Sequence, residues 1–206
     1  MATRLSYVAG LGRPASDAEP LVRALAPAIG DIPVAAFGTA DGIFDDLAAA
    51  SDVVAAGLEP GSVLIGHSMG GLIAEVTARR YPQRVGGLVL LDSSIARLRS
   101  DGLSDAARVR AAEWLEPAGR IGKALAGNLN YRRYARLTYA ARQRFPRLGR
   151  TLVITADTQR GTRWGMQQTA MARSIGAEHV ILSGTSHLLA TKYPEQVAEV
   201  IGKWLA

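Results

Sequence analysis

One serine among three glycines is the part of this sequence whose residue types and spacing could do chemistry. Residues 66–71 read Gly-His-Ser-Met-Gly-Gly, and the short apolar run 63–65 precedes them. The apolar run predicts a buried strand, and a helix is predicted to begin near Met69. A chain that turns from strand to helix within about two residues thrusts Ser68 beyond the strand end in a strained conformation. The surrounding glycines remove the Cβ atoms that would collide there.

This predicted position of Ser68 suits the nucleophile of an acyl transfer. The hydroxyl would lie at a helix N-terminus, where the dipole favours negative charge, with the backbone N–H of Met69 nearby. The tetrahedral intermediate of acyl transfer carries an oxyanion that needs such donors. A glycine-rich turn that binds phosphate is the alternative interpretation. The spacing fits neither the dinucleotide-binding pattern nor the P-loop, and no lysine follows.

A serine nucleophile needs a base, and the chain has three histidines. His67 neighbours the serine, and we expect it to pack below the turn. His179 opens the apolar run Val180–Leu182, where we expect a surface or strand-edge residue. His187 lies in the loop after that run, and sites in parallel sheets form beyond the carboxyl ends of strands. His187 is therefore the predicted base.

The base in turn needs a carboxylate that orients it. Asp157 is the one acidic residue between Glu116 and Glu178, and it follows a predicted strand at its carboxyl end. Asp92 has the same relation to the strand predicted after the helix that follows Ser68. Asp157 is the preferred prediction for the acid, and Asp92 stays open as the alternative. A helix cap or a turn is the non-catalytic interpretation of either.

Short apolar runs alternate with amphipathic stretches along the whole chain. Several runs are continuously apolar, as is typical of strands buried on both faces. Repeated strand-then-helix units predict an α/β fold with a mostly parallel six-stranded sheet, helices on both faces and a single domain over residues 1–206. The predicted strands are Leu5–Ala9, Ile32–Phe37, Val63–Ile65, Val85–Leu91, Thr151–Thr155 and Val180–Leu182. The predicted helices cover about 18–29, 43–58, 69–80, 165–176 and 194–205.

One insertion interrupts this alternation between Asp92 and the strand at Thr151. About sixty residues are too many for an unstructured loop, so we predict a helical lid over about residues 93–150. Residues 97–150 hold thirteen Lys and Arg but four Asp and Glu, a net charge of +9, whereas the whole chain carries +6. Because the basicity is local, nucleic-acid binding by the whole protein is disfavoured.

The composition excludes several other classes. With no cysteine, the chain has neither disulfides nor thiolate chemistry. It has no run of ~18 apolar residues and no signal-peptide pattern, so we expect a cytoplasmic protein without a membrane partner. The sequence contains no metal-ligand cluster and no nucleotide motif, so no cofactor and no metal are implied.

In these motifs the sequence resembles the α/β-hydrolase superfamily, in particular its esterase, lipase and thioesterase members. Residues 66–71 are similar to the family's nucleophile elbow, and residues 72–92 to the helix and strand that follow it. Residues 186–205 are similar to its histidine loop and final helix. The resemblance covers nearly the whole chain outside the lid.

The resemblance implies a catalytic triad of Ser68, Asp157 and His187, in the family's chain order of nucleophile, acid and base. The acid commonly follows a G-x-x-D or similar turn in this family. Here the sequence reads Ala-Asp-Thr-Gln and places Asp157 somewhat early, so Asp92 stays the alternative acid.

The resemblance also implies an oxyanion hole with two backbone donors. The family often carries His-Gly after its first core strand, followed by the residue whose N–H completes the hole. Here Gly10 is kept and Ala9 replaces the histidine, so Leu11 is the predicted donor beside Met69. The chain begins at what would be the family's third strand, which implies a shortened fold.

The function that the resemblance implies is a serine hydrolase that cleaves an ester or thioester through an acyl-serine intermediate. In relatives the same triad supports acyl transfer, C–C hydrolysis, perhydrolysis and lyase or cyclase chemistry. A non-catalytic ligand receptor on this scaffold is a further alternative. The lid would select a small-molecule acyl substrate, and its arginines would attract an anionic or carrier-bound one or form a solvated helix face.

Overall fold

Six parallel strands form the centre of the fold. The computed structural model describes residues 4–30, 34–39, 46–96, 105–115, 117, 119–146 and 148–206. The strands are β1 (Leu5–Val8), β2 (Ala35–Phe37), β3 (Ser62–His67), β4 (Val85–Leu91), β5 (Arg150–Ala156) and β6 (Glu178–Leu182). They pair in the order β2-β1-β3-β4-β5-β6, and each of these pairs is parallel. The carboxyl ends of the strands therefore meet at one edge of the sheet.

Helices cover both faces of this sheet. They are α1 (Glu19–Ile29), α2 (Leu47–Ala56), α3 (Gly70–Arg80), α4 (Asp105–Leu115), α5 (Gly119–Arg144), α6 (Arg163–Ser174), α7 (Leu189–Lys192) and α8 (Pro194–Leu205). Single 3-10 turns occupy Ala15–Ala18 and Asp157–Gln159. Side chains of α1 and α8 pack on one face, and those of α2, α3, α5 and α6 pack on the other. Within the described residues, no helix combines the length and apolarity needed to cross a membrane.

The continuous apolar runs are explained by burial on both faces. Val63 and Ile65 of β3 pack with the α1 and α8 layer, whereas Leu64 between them packs with the α3 layer. Successive strand side chains point to opposite faces, so each residue of such a strand needs an apolar side chain.

The structure confirms the predicted fold class and all six predicted strands. It extends β3 through the polar residues Ser62 and His67, because ladder pairing with β4 uses the backbone and tolerates polar side chains. The predicted residues 32–33 and 43–45 lie outside the described residues. The short helix α7 and the two 3-10 turns were not predicted from the sequence.

Helices α4 and α5 occupy the insertion between β4 and β5. Tyr134 and Ala135 of α5 are buried in the same cluster as side chains of α3. Arg142 of α5 donates two hydrogen bonds to Glu75 of α3, at 2.7 and 2.8 Å. Arg79 also donates to Glu75, at 2.9 Å. The second half of α5 is therefore docked on α3, and the lid role predicted for about residues 93–150 stays a prediction.

Candidate active site

The turn between β3 and α3 holds Ser68 in a left-handed backbone conformation. Its φ is 52°, which residues with a side chain rarely adopt and which marks stored strain. A Cβ on Gly66 would come within 2.7 Å of the backbone and a side chain of α3. Cβ atoms on Gly70 and Gly71 would overlap the carbonyls at the end of β1 and the side chain of Ser93. The three glycines therefore allow the close approach that this turn needs.

Ser68 is partly exposed and lies one residue before Met69, the N-cap of α3, at the helix end where the dipole favours negative charge. Two backbone hydrogen bonds fix the residue to the segment after β4. Ser68 donates its N–H to the carbonyl of Leu91 at 3.1 Å, and its own carbonyl accepts from the N–H of Ser94 at 2.9 Å. The turn at Ser68 and the end of β4 are therefore held side by side.

His187 is joined to a buried carboxylate at the end of β4. Its Nδ1–H donates to Oδ2 of Asp92 over 2.6 Å. The Asp92 side chain is fully buried, whereas that of His187 is 45% exposed. With Nδ1 as the donor, Nε2 keeps its lone pair, which is the form that a general base needs.

Ser68 and His187 are each joined to the segment at the end of β4, His187 through the Asp92 carboxylate and Ser68 through the Leu91 carbonyl. Among the described residues, no hydrogen bond joins the Ser68 hydroxyl to the ring of His187. Catalytic hydrogen bonds of this kind are often long in unliganded enzymes and shorten when substrate binds. The link between the two residues runs through Asp92, which holds the ring and directly follows the Leu91 carbonyl that binds Ser68.

Asp92 reaches this position through a second strained turn. Its φ is 38°, and Asp92 and Ser68 are the non-glycine residues with positive φ in the described part of the chain. Aspartate is among the few side chains that tolerate this region. The Asp92 N–H extends the ladder by donating to the carbonyl of Ile154 at 2.7 Å. Beyond that bond the chain turns.

The carboxylate of Asp157 lies elsewhere. It accepts hydrogen bonds from Arg160 at 2.7 Å and from the N–H of Gly184 at 3.0 Å, and the side chain is one-third exposed. These two partners, Arg160 first, hold the pKa of Asp157 below its ordinary value. A 3-10 turn begins at Asp157 itself and directs its carboxylate to the surface. The preferred prediction of Asp157 as the partner of His187 is therefore wrong, and the alternative, Asp92, occupies that position.

The other two histidines lie where the sequence predicted. His67 is 3% exposed beneath the turn, and its Nε2–H donates to the backbone carbonyl of His187 at 2.8 Å. The two rings lie 4.9 Å apart, and burial lowers the pKa of His67. His179 lies on the edge strand β6, where its ring is hydrogen-bonded to Thr155. His67 thus supports the loop that carries His187.

Two backbone N–H groups near Ser68 donate no hydrogen bond within the described part of the chain. Met69 directly follows Ser68, and a Cβ built on Gly10 would lie 3.2 Å from the Cβ of Ser68, which places the Gly10–Leu11 peptide against the serine. Within the described residues, neither the N–H of Leu11 nor that of Met69 donates a hydrogen bond. Two free donors at this point can bind an oxyanion.

The rest of the site is built from hydrogen-bonded protein groups. No three His, Asp or Glu side chains of the described residues are grouped so as to hold a metal ion. Gln168 of α6, which sequence analysis overlooked, is fully buried and donates to the carbonyl of Ser93 at 2.6 Å. It supports the segment after Asp92 from a distant part of the chain, and no local signal in the sequence indicates it.

The chain matches a known protein family over most of its length. A sequence model described as "Alpha/beta hydrolase family" matches residues 5–200. No curated protein shows significant sequence similarity to the chain.

Three solved structures share the fold at low identity. A thermophilic esterase from Thermogutta terrifontis is 21% identical with a TM-score of 0.64, over 98% of this chain and 89% of the esterase. A monoacylglycerol lipase from Paleococcus ferrophilus is 16% identical with a TM-score of 0.64, over 100% and 96%. An alpha/beta hydrolase from a sediment metagenome of the Mar Chica lagoon is 18% identical with a TM-score of 0.68, over 100% and 91%.

Proposed function

Because the chain belongs to the alpha/beta hydrolase family, we propose that it is a serine hydrolase that cleaves a carboxylic ester or thioester. The observation that carries the proposal is the 2.6 Å contact between Asp92 and Nδ1 of His187, beside a serine held on a strained elbow. A structural serine needs neither the strain nor a histidine fixed in one tautomer. The esterase and lipase that share the fold are consistent with this chemistry.

In the proposed reaction, Nε2 of His187 takes the hydroxyl proton of Ser68 while the serine oxygen attacks the substrate carbonyl carbon. The N–H groups of Leu11 and Met69 bind the oxyanion that forms. His187 then returns the proton to the leaving alkoxide or thiolate, and an acyl-serine remains. Water, deprotonated by His187, attacks the acyl carbon; the bond from that carbon to the Ser68 oxygen then breaks, His187 returns the proton to this oxygen, and the carboxylic acid is released. Asp92 keeps the ring in its working tautomer and stabilises the imidazolium.

The insertion supports a preference for anionic acyl substrates, including carrier-bound ones. Its segment 97–150 carries a net charge of +9, in a chain that is otherwise slightly acidic. A segment with this charge would raise the rate of encounter with an anionic thioester, and this effect would be screened by salt. A steep fall of kcat/KM for an acyl-CoA between 50 and 500 mM salt, on the order of tenfold, would support this preference. A flat profile would leave a neutral ester as the substrate class.

The test of the proposed function is intact-protein mass spectrometry after treatment with a fluorophosphonate. We expect one adduct on Ser68 in the wild type and none in Ser68→Ala. His187→Ala should label at least 100-fold more slowly, since the base is lost. Ser174→Ala, which changes an exposed serine at the end of α6, is the matched control and should label like the wild type.

Absence of an adduct on the folded wild type would contradict the proposal. It would favour the receptor alternative, in which the elbow binds a ligand without reacting. Labelling that is undiminished in Ser68→Ala would assign the reactive group to another residue.

A further inference from the structure

Each backbone donor beside Ser68 is one half of a peptide group whose carbonyl points the opposite way. A trans peptide is planar, so the N–H of Leu11 is antiparallel to the C=O of Gly10, and the N–H of Met69 to the C=O of Ser68. None of the described peptide bonds is cis. The groups that bind these two carbonyls therefore set the directions of the two N–H donors.

The Ser68 carbonyl is held mainly by backbone donors. The N–H groups of Gly71 and Ser94 donate to it at 3.0 and 2.9 Å. The hydroxyl of Ser93 approaches it at 3.5 Å, which is long for a hydrogen bond. The direction of the Met69 N–H thus follows from the path of the main chain.

The Gly10 carbonyl is held by one backbone donor and one side-chain donor. The N–H of Arg13 donates at 3.1 Å and closes a four-residue turn, in which Gly12 has the positive φ of 66° expected at its third position. The second donor is the hydroxyl of Thr39, which is hydrogen-bonded to the same oxygen. This hydroxyl is the one side-chain group in the described chain that binds the Gly10 carbonyl.

Thr39 is itself firmly placed. It is 7% exposed, and its own N–H donates to the carbonyl of Arg13 at 2.8 Å. The preceding residue, Gly38, approaches the loop so closely that an added Cβ would lie 2.8 Å from the backbone nitrogen of Ala15. The end of β2 and the loop after β1 therefore form one packed unit, with the Thr39 hydroxyl directed at Gly10.

We propose that Thr39 is a positioning residue of the oxyanion hole. By holding the Gly10 carbonyl, its hydroxyl keeps the Leu11 N–H aimed at the oxyanion that develops at Ser68. The inference rests on the proposed hydrolase function and adds to it a side chain that touches neither substrate nor triad. The two donors would then be oriented by different groups. Backbone hydrogen bonds orient the Met69 N–H, whereas the Thr39 hydroxyl, which a substitution can remove, orients the Leu11 N–H.

The test compares Thr39→Val, which removes the hydroxyl at nearly constant volume, with Thr39→Ser, which keeps it. We expect Thr39→Val to lower kcat and kcat/KM together by about tenfold, less than the 10²–10³ typical of losing a donor outright. Thr39→Ser should stay within about twofold of the wild type. Rates are normalised to the fraction of protein that a fluorophosphonate labels, so that misfolded protein does not count.

Thr151→Val is the matched control for a lost buried threonine hydroxyl. Thr151 is 3% exposed at the start of β5, and its hydroxyl donates to the carbonyl of Gly149 at 2.8 Å, at the opposite edge of the sheet. We expect no change in its normalised kcat. Should Thr39→Val fail to fold, Thr39→Ala against Thr39→Ser makes the same comparison.

The outcomes separate this inference from the proposed function. A wild type that labels on Ser68, with an unchanged normalised kcat in Thr39→Val, overturns the role of Thr39 and leaves the hydrolase standing. Equal losses in Thr39→Val and Thr39→Ser also overturn it, because the hydroxyl would not be the cause. A folded wild type that does not label overturns both.

Discussion

Asp92 and Asp157 follow the adjacent parallel strands β4 and β5 at the same edge of the sheet. The Asp92 side chain is fully buried and accepts the ring N–H of His187. The Asp157 side chain is one-third exposed, and the guanidinium of Arg160 already compensates its charge. Equivalent places in the strand order thus carry carboxylates with different surroundings.

The difference shows that burial and partner decide which carboxylate controls a base. A charge in a poorly solvated place acts strongly on the polar groups that it faces, and for Asp92 the nearer of these is the ring of His187, at 2.6 Å. An exposed ion pair is screened by water and salt and contributes little. We therefore assign orientation of His187 to Asp92, and attachment of a surface loop to Asp157.

The largest expected effect is that of Asp92→Asn. An amide can bind the ring in the wrong tautomer and cannot stabilise the imidazolium, so kcat should fall by about 10³–10⁴. The measurement is steady-state turnover of a p-nitrophenyl ester, with melting temperature as the check on folding. A loss below tenfold in a folded variant would return the acid role to Asp157 or to no carboxylate.

Much of this site could be predicted from the sequence because the signals are local. The glycines around Ser68 indicate a sharp turn by themselves, and continuously apolar runs indicate strands buried on both faces. His187 lies in the loop after the run Val180–Leu182, so the position of that strand alone predicted the edge of the sheet at which it lies.

The choice of acid could not be made in this way. Asp92 and Asp157 both end apolar strands, and no local pattern separates them. The difference arises from the φ of 38° at Asp92 and from the 3-10 turn that begins at Asp157. Both depend on how distant segments pack, as does the contact of Thr39 with Gly10 across 29 positions.

A smaller effect is expected from substitution of His67, whose ring N–H donates to the backbone carbonyl of His187. Burial lowers the pKa of His67 in the folded protein, whereas the same residue in the unfolded chain takes up a proton below about pH 6.5. The unfolded state therefore binds more protons there, and stability must fall as the pH drops through this range.

His67→Phe keeps a ring but removes this titration. At pH 8 the variant should be less stable by about 1 kcal/mol, since the hydrogen bond to the His187 carbonyl is lost. The difference in stability should narrow at pH 5, because only the wild type has a histidine whose lowered pKa costs stability as the pH falls. Urea unfolding of both proteins at pH 8 and pH 5 measures this difference in the free energy of unfolding. A difference that widens at pH 5 would contradict a lowered pKa of His67.

The smallest expected effect is that of Asp157→Asn. The variant loses an exposed ion pair with Arg160 but retains an oxygen that can accept from the N–H of Gly184, so kcat should stay within about threefold of the wild type.

The double variant Asp92→Asn/Asp157→Asn is the more informative form of this experiment. If Asp157 could swing inward to replace Asp92, the single variant Asp92→Asn would keep some activity that Asp92→Asn/Asp157→Asn lacks. We expect the two to be equally slow, because Asp157 would first have to give up both of its partners. A further fall in the double variant would show that the two strand ends can exchange roles.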